Sequence, residues 1–412
     1  MFAGGYQLNE HGARAVGMGG AFVARASDPS AIYFNPAGLA GQGGINILGG
    51  ITLITPSTTF KGTGIMQPIE TKTESQLFTP INLYGTYQIN EQIVVGLGVY
   101  NPFGLGTKWP EYWGPTLANL GGVFAGSYSS VDASIQTFYF NPSVAYKIND
   151  ELSVGLGISY VYGSVSMSKT IPFTHPLLGT SYFSLKMDGT GSGINFNLGC
   201  IYKIMPELSV GLSFRSTTEI EFSGDAKFTN KTVPATVYNG SIALLYPGGT
   251  GTATLPMPGS LTAGVAYQLM PALTLEADVQ YVLWSAYDKL DVNLTPVVPG
   301  GQGSSSSIKN WEDGIILRGG GEYTLNPEIT LRGGLILDIS PQPPAKAEPM
   351  LPDSDKLDVA LGGSYKINQN LSVDVSYMLV LFMERDAKYN PDVPGTYNST
   401  AHVISVNFGY AL

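Results

Sequence analysis

A nine-residue pattern recurs six times along this 412-residue chain and constrains its fold more than any other feature. Three copies carry Pro at the fifth position and most have Asn, Asp or Glu nearby, which predicts a tight turn at the centre. Apolar residues alternate with small or polar residues on both sides, which is the period of a β-strand. Each copy therefore predicts a β-hairpin. The copies are YQINEQIVV from Tyr87, YKINDELSV from Tyr146, YKIMPELSV from Tyr202, YQLMPALTL from Tyr267, YTLNPEITL from Tyr323 and YKINQNLSV from Tyr365.

The six hairpins supply twelve strands, and two further strands are expected near residues 45–59 and 400–412. The connections on the opposite side are long, and we expect loops at 104–133, 170–187, 226–257 and 293–309. An even strand number, with short turns on one rim and long loops on the other, is typical of bacterial outer-membrane barrels. The sequence thus predicts an all-β fold, a 14-stranded antiparallel transmembrane β-barrel with its short turns in the periplasm.

The composition agrees with a barrel that crosses a membrane. Charged residues make up only 13% of the chain, against about 25% in ordinary soluble domains. No apolar run reaches the roughly 18 residues of a spanning helix, and a closed barrel is the other way to cross a bilayer. The net charge of −10 argues against a nucleic-acid partner. One Cys and three scattered His predict neither a metal site nor a cofactor.

The strand period also assigns residues to the two faces of the barrel wall. The Tyr that begins each repeat lies on the apolar face, which predicts an aromatic girdle at the lipid–water boundary. Charged residues on the inner face predict ion pairs between neighbouring strands. Contacts that hold a plug, or a basic residue that binds an anionic ligand, are the alternatives. The inner-face residues are Arg215, Glu276, Asp278, Arg318, Glu322, Arg332, Asp338, Asp358 and Asp374.

The first 42 residues have no strand period and do not belong to the barrel wall. They are rich in Gly and Ala, with short helices expected near residues 13–18 and 29–33. A barrel this wide encloses an open lumen unless something fills it. We therefore expect two parts, an N-terminal hatch inside the lumen at residues 1–42 and the barrel at residues 43–412.

Several segments resemble one family along the whole chain. The opening, GGYQLNEHGARAVGMGGAFVARASDPSAIYFNPAGLA from Gly4, resembles the start of the FadL/TodX outer-membrane transporters of long-chain fatty acids and hydrophobic compounds. The resemblance implies a 14-stranded barrel with an N-terminal hatch, in agreement with the strand count. Further matching segments are NPFGLGTKW from Asn101, FRSTTEIEFSGD from Phe214, MPGSLTAGVAYQL from Met257, WSAYDKL from Trp284, NWEDGIILRGGGEYTLN from Asn310 and LPDSDKLDVALGGSYKI from Leu351.

The resemblance also implies a gate and a lateral exit. The hatch motif Asn-Pro-Ala lies against an inward kink in the third strand, and the kink opens a gap in the barrel wall. The sequence supports an irregularity there, because Pro cannot donate to a strand ladder; a simple end of the strand is the alternative. The implied gate residues are Phe34, Asn35, Pro36 and Ala37, and the kink residues are Asn101, Pro102, Phe103 and Gly104.

A hydrophobic groove between outer loops and a basic pocket complete the implied path. The groove candidates could equally form a small core within their own loop. They are Leu105, Trp109, Tyr112, Trp113, Leu117, Leu120 and Phe124. Members of the family use basic residues to bind the fatty-acid carboxylate, and position along the chain suggests Lys169, Lys186 and Arg215.

These observations predict a passive transporter rather than an enzyme. The expected ligands are long-chain fatty acids, which leave sideways through the kinked strand. The alternatives are a channel for monoaromatic or other neutral hydrocarbons and a water-filled general porin. A lipase is not favoured by this sequence, which has no recognisable Ser/His/Asp constellation. A surface adhesin is a further alternative. We expect a monomer in contact with the bilayer and lipopolysaccharide of the bacterial outer membrane, after removal of a signal peptide.

Overall fold

The computed structural model describes residues 4–67, 69–110, 132–175, 179–388 and 393–412. These residues form one closed sheet of 14 antiparallel strands, several of which consist of two segments. The strands are β1 (Ile45–Gly62), β2 (Glu70–Lys72 and Ile81–Gln88), β3 (Ile93–Tyr100 and Gly104–Lys108), β4 (Asp132–Lys147), β5 (Leu152–His175), β6 (Gly179–Met205), β7 (Leu208–Arg215 and Thr218–Asn230), β8 (Gly249–Met257 and Ser260–Met270), β9 (Leu273–Val282 and Lys289–Thr295), β10 (Ser305–Ile308 and Gly314–Thr324), β11 (Ile329–Ile339), β12 (Lys356–Lys366), β13 (Leu371–Phe382 and Arg385–Asp386) and β14 (Gly395–Ala411).

The barrel closes where the first strand meets the last. β1 pairs with β14 from Asn46↔Ala411 to Gly62↔Gly395, and on its other edge it pairs with β2 from Ile45↔Tyr87. A closed sheet has no free edge strand in the hydrocarbon, because each strand pairs with a neighbour on both sides. The predicted 14-stranded barrel is confirmed.

Side chains explain why the turn sequence repeats. In four copies the Asn at the fourth position accepts hydrogen bonds at its Oδ1 from the amides two and three residues later. This Asx geometry fixes a short turn. The two copies that have Met at this position instead shift register, between Lys203 and Met205 and between Gln268 and Met270. The capping residues are Asn90, Asn149, Asn326 and Asn368.

The two faces of the wall differ as the strand period predicts. The six repeat tyrosines are all exposed on the outer surface, above the short turns, beside rows of exposed Ile, Leu and Val. The inner-face charges are all buried or nearly so. The lipid-facing band is therefore apolar and the lumen is polar, as in an outer-membrane barrel.

The strands on the long-loop side extend further than the sequence pattern suggests. The prediction of a loop at 170–187 is wrong, because β5 and β6 stay paired up to His175↔Gly179. The expected loops at 226–257 and 293–309 are likewise shortened by strand segments. Polar side chains such as Asp188 and Lys227 alternate outward here, so the strands continue beyond the apolar band. A polar outer face resembles a loop in sequence although the backbone is a regular strand.

The N-terminal segment fills the lumen. It contains two short helices, α1 (Ala13–Gly17) and α2 (Ala31–Phe34), and a 3₁₀ helix at Pro36–Gly41. Its apolar side chains are buried against the inner wall. Other short helical turns lie at Gly64–Met66, Ala235–Val237, Tyr238–Ile242, Ala243–Leu245, Trp284–Ala286 and Pro344–Lys346. Within the described part of the chain, none of the helices has the length and apolar character needed to cross a membrane.

Candidate functional site: a wall opening and its hatch

The third strand is interrupted where the sequence places the kink. Pairing of β3 with β4 stops at Tyr100↔Tyr139 and resumes at Gly104↔Gln136. Three residues of β3 therefore stand opposite two of β4, which is the count of a β-bulge. Pro102 has no N–H to donate to the ladder, and Asn101 replaces the missing bonds with its side chain. Its Nδ2 donates to the Thr137 carbonyl oxygen at 2.5 Å, and its Oδ1 accepts from the Ile81 amide at 2.9 Å.

The kink separates β2 from β3 over part of the barrel wall. Their ladder ends at Asn82↔Tyr100, and the next backbone–backbone hydrogen bond is from the Glu74 amide to the Lys108 carbonyl oxygen at 2.8 Å. A cavity of about 260 Å³ lies in the intervening region. Its lining is mixed: the apolar side chains are Leu8, Ile54, Leu77, Phe78, Phe103, Leu105 and Ile135, and the polar ones include Asn101, Ser134 and Gln136. The wall thus has an opening at the level of the hatch.

Hatch residues 6–8, here called the strap, close this opening from inside. The Leu8 amide donates to the Pro102 carbonyl oxygen and the Gly104 amide donates to the Tyr6 carbonyl oxygen, each at 2.8 Å. Gln7 and Phe103 form an antiparallel bridge between these bonds. The strap therefore acts as a short strand that satisfies the backbone groups left by the kink.

A neutral histidine connects the strap to the rest of the hatch. His11 donates from Nε2 to the Leu8 carbonyl oxygen at 3.0 Å, and its ring packs on Tyr33 at a tilt of 36° with centroids 3.7 Å apart. Burial lowers the pKa of His11 to about 3. The imidazole is therefore uncharged at neutral pH and holds the strap without adding a cation.

Tyr6 also links the opening to an aromatic cage in the outer half of the lumen. Its ring lies 4.8 Å from Trp284 and 5.9 Å from Tyr287, and 6.0 Å from Phe103 at the kink, as centroid distances. Trp311 completes the cage at 5.0 Å from Trp284. Within the described residues, neither indole N–H of the cage has a hydrogen-bond partner. Displacement of Tyr6 would both empty the cage and release the strap.

The Asn-Pro-Ala motif lies elsewhere in the hatch. Asn35 Nδ2 donates to the carbonyl oxygens of Val23 at 2.8 Å and Cys200 at 3.1 Å. A side chain on Gly155 of β5 would overlap the motif's backbone, and one on Gly199 of β6 would overlap Asn35. The resemblance places this motif against the kink, but its closest approach is to β5 and β6, because those glycines admit it. The strap contacts the kink instead. Phe34 packs on Phe22, with centroids 5.5 Å apart.

Ala37 provides a test of how tightly the motif is seated. It is fully buried, and its amide donates to Asn35 Oδ1 at 3.2 Å. Ala37→Leu overpacks the contact, and we expect it to destabilise the seated hatch by about 1–3 kcal/mol. Faster hydrogen exchange of the hatch amides would measure the loss. Ala40→Leu, at a half-buried position of the same 3₁₀ helix, is the control and should change exchange little; equal effects would contradict the role of Ala37.

Carboxylates on the inner wall hold the central part of the hatch. Glu322 of β10 accepts from Arg14 at 3.0 Å, Arg25 at 2.8 Å and Arg332 at 2.6 Å. Asp278 Oδ2 of β9 accepts from the amides of Phe22 at 2.9 Å and Val23 at 3.1 Å. Glu276 accepts from the Ala24 amide at 2.8 Å. The structure thus shows both predicted roles of the inner charges, ion pairing between strands and retention of a plug.

Two arginines line a water-sized cavity of about 30 Å³ next to the hatch. Arg215 donates to the Tyr33 carbonyl oxygen at 2.9 Å and lies 5.0 Å over the Tyr33 ring. Arg318 uses Nη2 to donate to Asn9 at 2.9 Å and Gln280 at 2.7 Å. Its buried Nη1 has no hydrogen-bond partner among the residues that the structure describes. The cavity beside this donor has room for one small acceptor, such as a water or a carboxylate oxygen. The sequence pattern placed Arg318 in the lumen but did not single it out as a ligand residue.

The other two basic candidates lie outside this cavity. Lys186 is on the outer face of β6, 58% exposed, with Nζ 3.1 Å from Asp188. Its proposed role as a carboxylate partner in the pocket is therefore wrong. Lys169 lies on the inner face of the β5 extension, opposite Leu185. Sequence position alone does not distinguish the faces, because β5 and β6 extend beyond their apolar rows.

The groove candidates separate into different environments. Leu105 lines the wall cavity. Trp109 is fully buried and donates from Nε1 to the Pro349 carbonyl oxygen at 2.9 Å, so it belongs to a loop core and not to an open groove. That core consists of Phe60, Met66, Ile69, Trp109, Ala347, Ala387, Val393 and Tyr397. Tyr112, Trp113, Leu117, Leu120 and Phe124 lie outside the described residues.

This chain is similar in sequence and in fold to known proteins. The model of the outer membrane protein transport protein family (OMPP1/FadL/TodX) matches residues 1–412. A long-chain fatty acid transport protein of Escherichia coli O6:H1 is 25% identical over 445 aligned positions, covering all of this chain and 95% of the relative. The structure of a Pseudomonas aeruginosa FadL homologue superposes with a TM-score of 0.85 at 19% identity, covering 99% of both chains. The toluene transporter TodX of P. putida gives 0.79 at 16% identity, covering 98% of this chain and 99% of that one.

The closed barrel, the plugged lumen and the wall opening define a transport protein of the bacterial outer membrane. The matches over the whole length are consistent with the predicted location and class. This chain belongs to the OMPP1/FadL/TodX family of outer membrane protein transport proteins.

Proposed function

We propose that this protein carries long-chain fatty acids passively across the outer membrane and releases them sideways through the opening at β3. The observation that carries the proposal is the wall cavity of about 260 Å³, closed from inside by the strap. The apolar side chains in its lining, Phe78, Leu105 and Ile135 among them, can contact an acyl chain, for which each buried methylene contributes about 0.8 kcal/mol. In the same proposal, residues 1–42 act as the hatch of a monomeric barrel formed by residues 43–412.

The aromatic cage supplies the coupling between ligand and gate. An acyl chain that enters the cage competes with Tyr6 for Trp284 and Tyr287. Loss of Tyr6 from the cage removes its contact with Phe103 and weakens the two strap hydrogen bonds at the kink. The ligand then favours the open arrangement by its differential affinity for the emptied cage. No energy source beyond downhill partitioning enters this scheme.

A surface on the outer loops is our candidate for the entrance. Loop residues between β7 and β8 pack on the β5–β6 hairpin, with Phe183, Val233 and Ile242 buried between them. Tyr238 and Tyr246 flank this cluster, and Leu244 is 69% exposed beside it. Exposed apolar side chains rimmed by polar strands are typical of ligand-binding surfaces. In this proposal the ligand enters at this surface and not at Trp109, which is buried in a loop core.

The choice between fatty acid and hydrocarbon depends on the arginine cavity. The relatives' names include both a fatty acid transporter and a toluene transporter. A neutral hydrocarbon needs no cation, whereas a carboxylate needs a donor such as the unpartnered Nη1 of Arg318. Oδ2 of Asp278, in the same cavity, accepts from hatch amides, whereas its Oδ1 has no hydrogen-bond partner within the described residues. This arrangement favours a carboxylate-bearing ligand, with neutral hydrocarbons as the second candidate.

Uptake of labelled oleate and labelled toluene, in cells lacking their own fatty-acid channel, tests this choice. We expect Arg318→Met to lower oleate uptake about tenfold or more, the loss of one charge-assisted hydrogen bond, and to leave toluene uptake unchanged. Arg318→Lys should retain most oleate uptake. Lys203→Met, which removes a charge from the exposed periplasmic end of β6, is the control. Parallel loss of both substrates would contradict carboxylate recognition, and transport of toluene alone would establish the hydrocarbon channel.

A further inference from the structure

Four buried carboxylates surround one buried lysine where the hatch meets β11 and β12. One carboxylate belongs to the hatch, and the other three belong to these two strands and to the segment that joins them. Each of the four is 5% exposed or less, and all four act electrostatically on Lys356. We call these residues the acid cluster. Its members are Glu10, Asp338, Asp353, Lys356 and Asp358.

The lysine does not satisfy the carboxylates around it. Lys356 Nζ lies 3.4 Å from Asp338 Oδ2 and 3.8 Å from Asp358 Oδ2. Among the residues that the structure describes, both oxygens of Asp338 and Asp358 and Oδ1 of Asp353 have no hydrogen-bond partner. Buried carboxylates that face one another cannot all stay ionised, because a buried charge without compensation is neutralised by a proton. The acid cluster therefore retains protons to a higher pH than exposed carboxylates do.

Charged groups on the neighbouring elements leave an excess of negative charge. His11, the next residue of the hatch, is uncharged. With one further carboxylate and two guanidinium groups, five carboxylates face three cations. These additional groups are Asp355, Arg318 of β10 and Arg385 of β13.

Glu10 connects the acid cluster to the strap. It lies between Leu8 and His11, whose hydrogen bond holds the strap. Gly4 also lies against the acid cluster, because a side chain at this position would stand 3.1 Å from Asp338 Oδ2. The strap, residues 6–8, is thus flanked along the chain by two residues at the acid cluster. A change of charge in the acid cluster acts on both of its ends.

We propose that the acid cluster is a proton-dependent latch, which holds the strap while it is protonated and loosens it by repelling Glu10 when the protons are lost. Burial raises the pKa of Glu10, and it raises the pKa of Asp353 to about 7. Carboxylates with a raised pKa stabilise the seated strap fully below their ordinary range of about pH 4, and this stabilisation is lost as the pH rises through about 7. The latch concerns the seating of the strap and does not depend on which ligand is transported.

Hydrogen exchange of the full-length protein in detergent, between about pH 5.5 and 8.5, tests the latch. The reporters are the amides of Leu8 and Gly104, which donate to the carbonyl oxygens of Pro102 and Tyr6. After correction for the intrinsic pH dependence of exchange, we expect their protection to fall at least about tenfold over this range, because one pKa unit corresponds to a factor of about ten. The Val16 amide, bonded within α1, should keep its protection.

Two variants remove charge from the acid cluster, and one matched variant removes it elsewhere. Glu10→Gln should keep the strap amides protected at every pH in the range. Asp353→Asn retains an acceptor for the Ser340 hydroxyl and should reduce the fall in protection. Glu384→Gln removes an exposed carboxylate beyond the end of the long segment of β13 and should behave like the parent. Retained heat-modifiable migration on gels shows that each variant is folded.

Three results would overturn the latch. The first is equal corrected protection of the Leu8 and Gly104 amides at both ends of the pH range in the parent. The second is a pH dependence that persists unchanged in the Glu10→Gln variant. The third is an equal loss of protection at Val16, which would assign the pH response to the whole hatch and not to the strap.

Discussion

Replacing Glu322 by Gln is expected to unseat the hatch and convert a silent barrel into one that conducts ions. Glu322 accepts hydrogen bonds from three guanidinium groups, two of them from the hatch residues Arg14 and Arg25. Its side chain is only 12% exposed. Removing one partner of a buried charge network costs about 3–5 kcal/mol, because the remaining charges stay buried without compensation. Single-channel recording in planar bilayers should show open-state currents that the parent protein lacks.

Hydrogen exchange of the amides of Phe22, Val23 and Ala24 gives an independent measure. Their acceptors are Asp278 and Glu276, so they exchange when the hatch leaves the wall. A loss of about 3–5 kcal/mol corresponds to exchange faster by a factor of about 100 or more. Glu328→Gln removes the same charge from the exposed turn between β10 and β11 and should change neither current nor exchange. If the Glu322→Gln variant showed no channel current and the same slow amide exchange as the parent, the charge network would not be the anchor of the hatch.

The hatch thus has an anchored part and a part suited to move. Residues 14–25 are held by charge-assisted bonds to β9 and β10. The strap is held by two backbone bonds and one bridge to the kink, by the His11 hydrogen bond to Leu8, by the Tyr6 hydroxyl donating to the Pro256 carbonyl oxygen, and by the ring contacts of Tyr6. A hydrophobic ligand can replace apolar ring contacts at little cost in free energy. It cannot replace buried ion pairs. We therefore expect ligand to move the strap while the anchor stays in place.

The barrel could be predicted from the sequence because its signals are local and repeated. The Asx turns at Asn90, Asn149, Asn326 and Asn368 recur with the same neighbours. The kink could also be predicted from a local signal, because Pro102 cannot donate to a strand ladder. The periodicity of β5 and β6 did not reveal their extensions, because polar residues replace apolar ones on the outer face while the strand continues.

The site depends on contacts between residues far apart in sequence, and these have no local signal. Residues 6–8 have no strand period, because their partner is the kink and not a neighbouring strand. Trp109 belongs to a core shared by four loops, whereas its own sequence neighbours suggest a groove. Arg318 differs from the inner-face arginines Arg215 and Arg332 in its Nη1, which has no hydrogen-bond partner within the described residues. Only the assembled lumen distinguishes such residues.

Restoring a regular third strand is expected to abolish uptake in a barrel that still assembles. The change replaces Asn101, Pro102 and Phe103 by Thr-Val, which removes the extra residue of the bulge and supplies the missing amide. β3 then matches β4 residue for residue between Tyr100↔Tyr139 and Gly104↔Gln136. It can also pair with β2 across the wall cavity, and the strap loses its partners. Labelled oleate uptake should fall to the level of cells without the protein.

A second variant separates the effect of the extra bulge residue from the effect of Pro102. Pro102→Ala alone keeps the three-against-two count and the Asn101 hydrogen bonds to Thr137 and Ile81. We expect it to retain most uptake, because the opening depends on the bulge and the proline only favours it. Unchanged uptake in the regular-strand variant would assign the exit to the periplasmic mouth, where a polar cavity of about 970 Å³ lies below the hatch. Charged side chains line that cavity, among them Arg14, Glu322 and Arg332, whereas none of the described residues that line the wall cavity is charged. Apolar chains do not compensate the desolvation of charged groups, and for this reason the lateral exit is the outcome we expect.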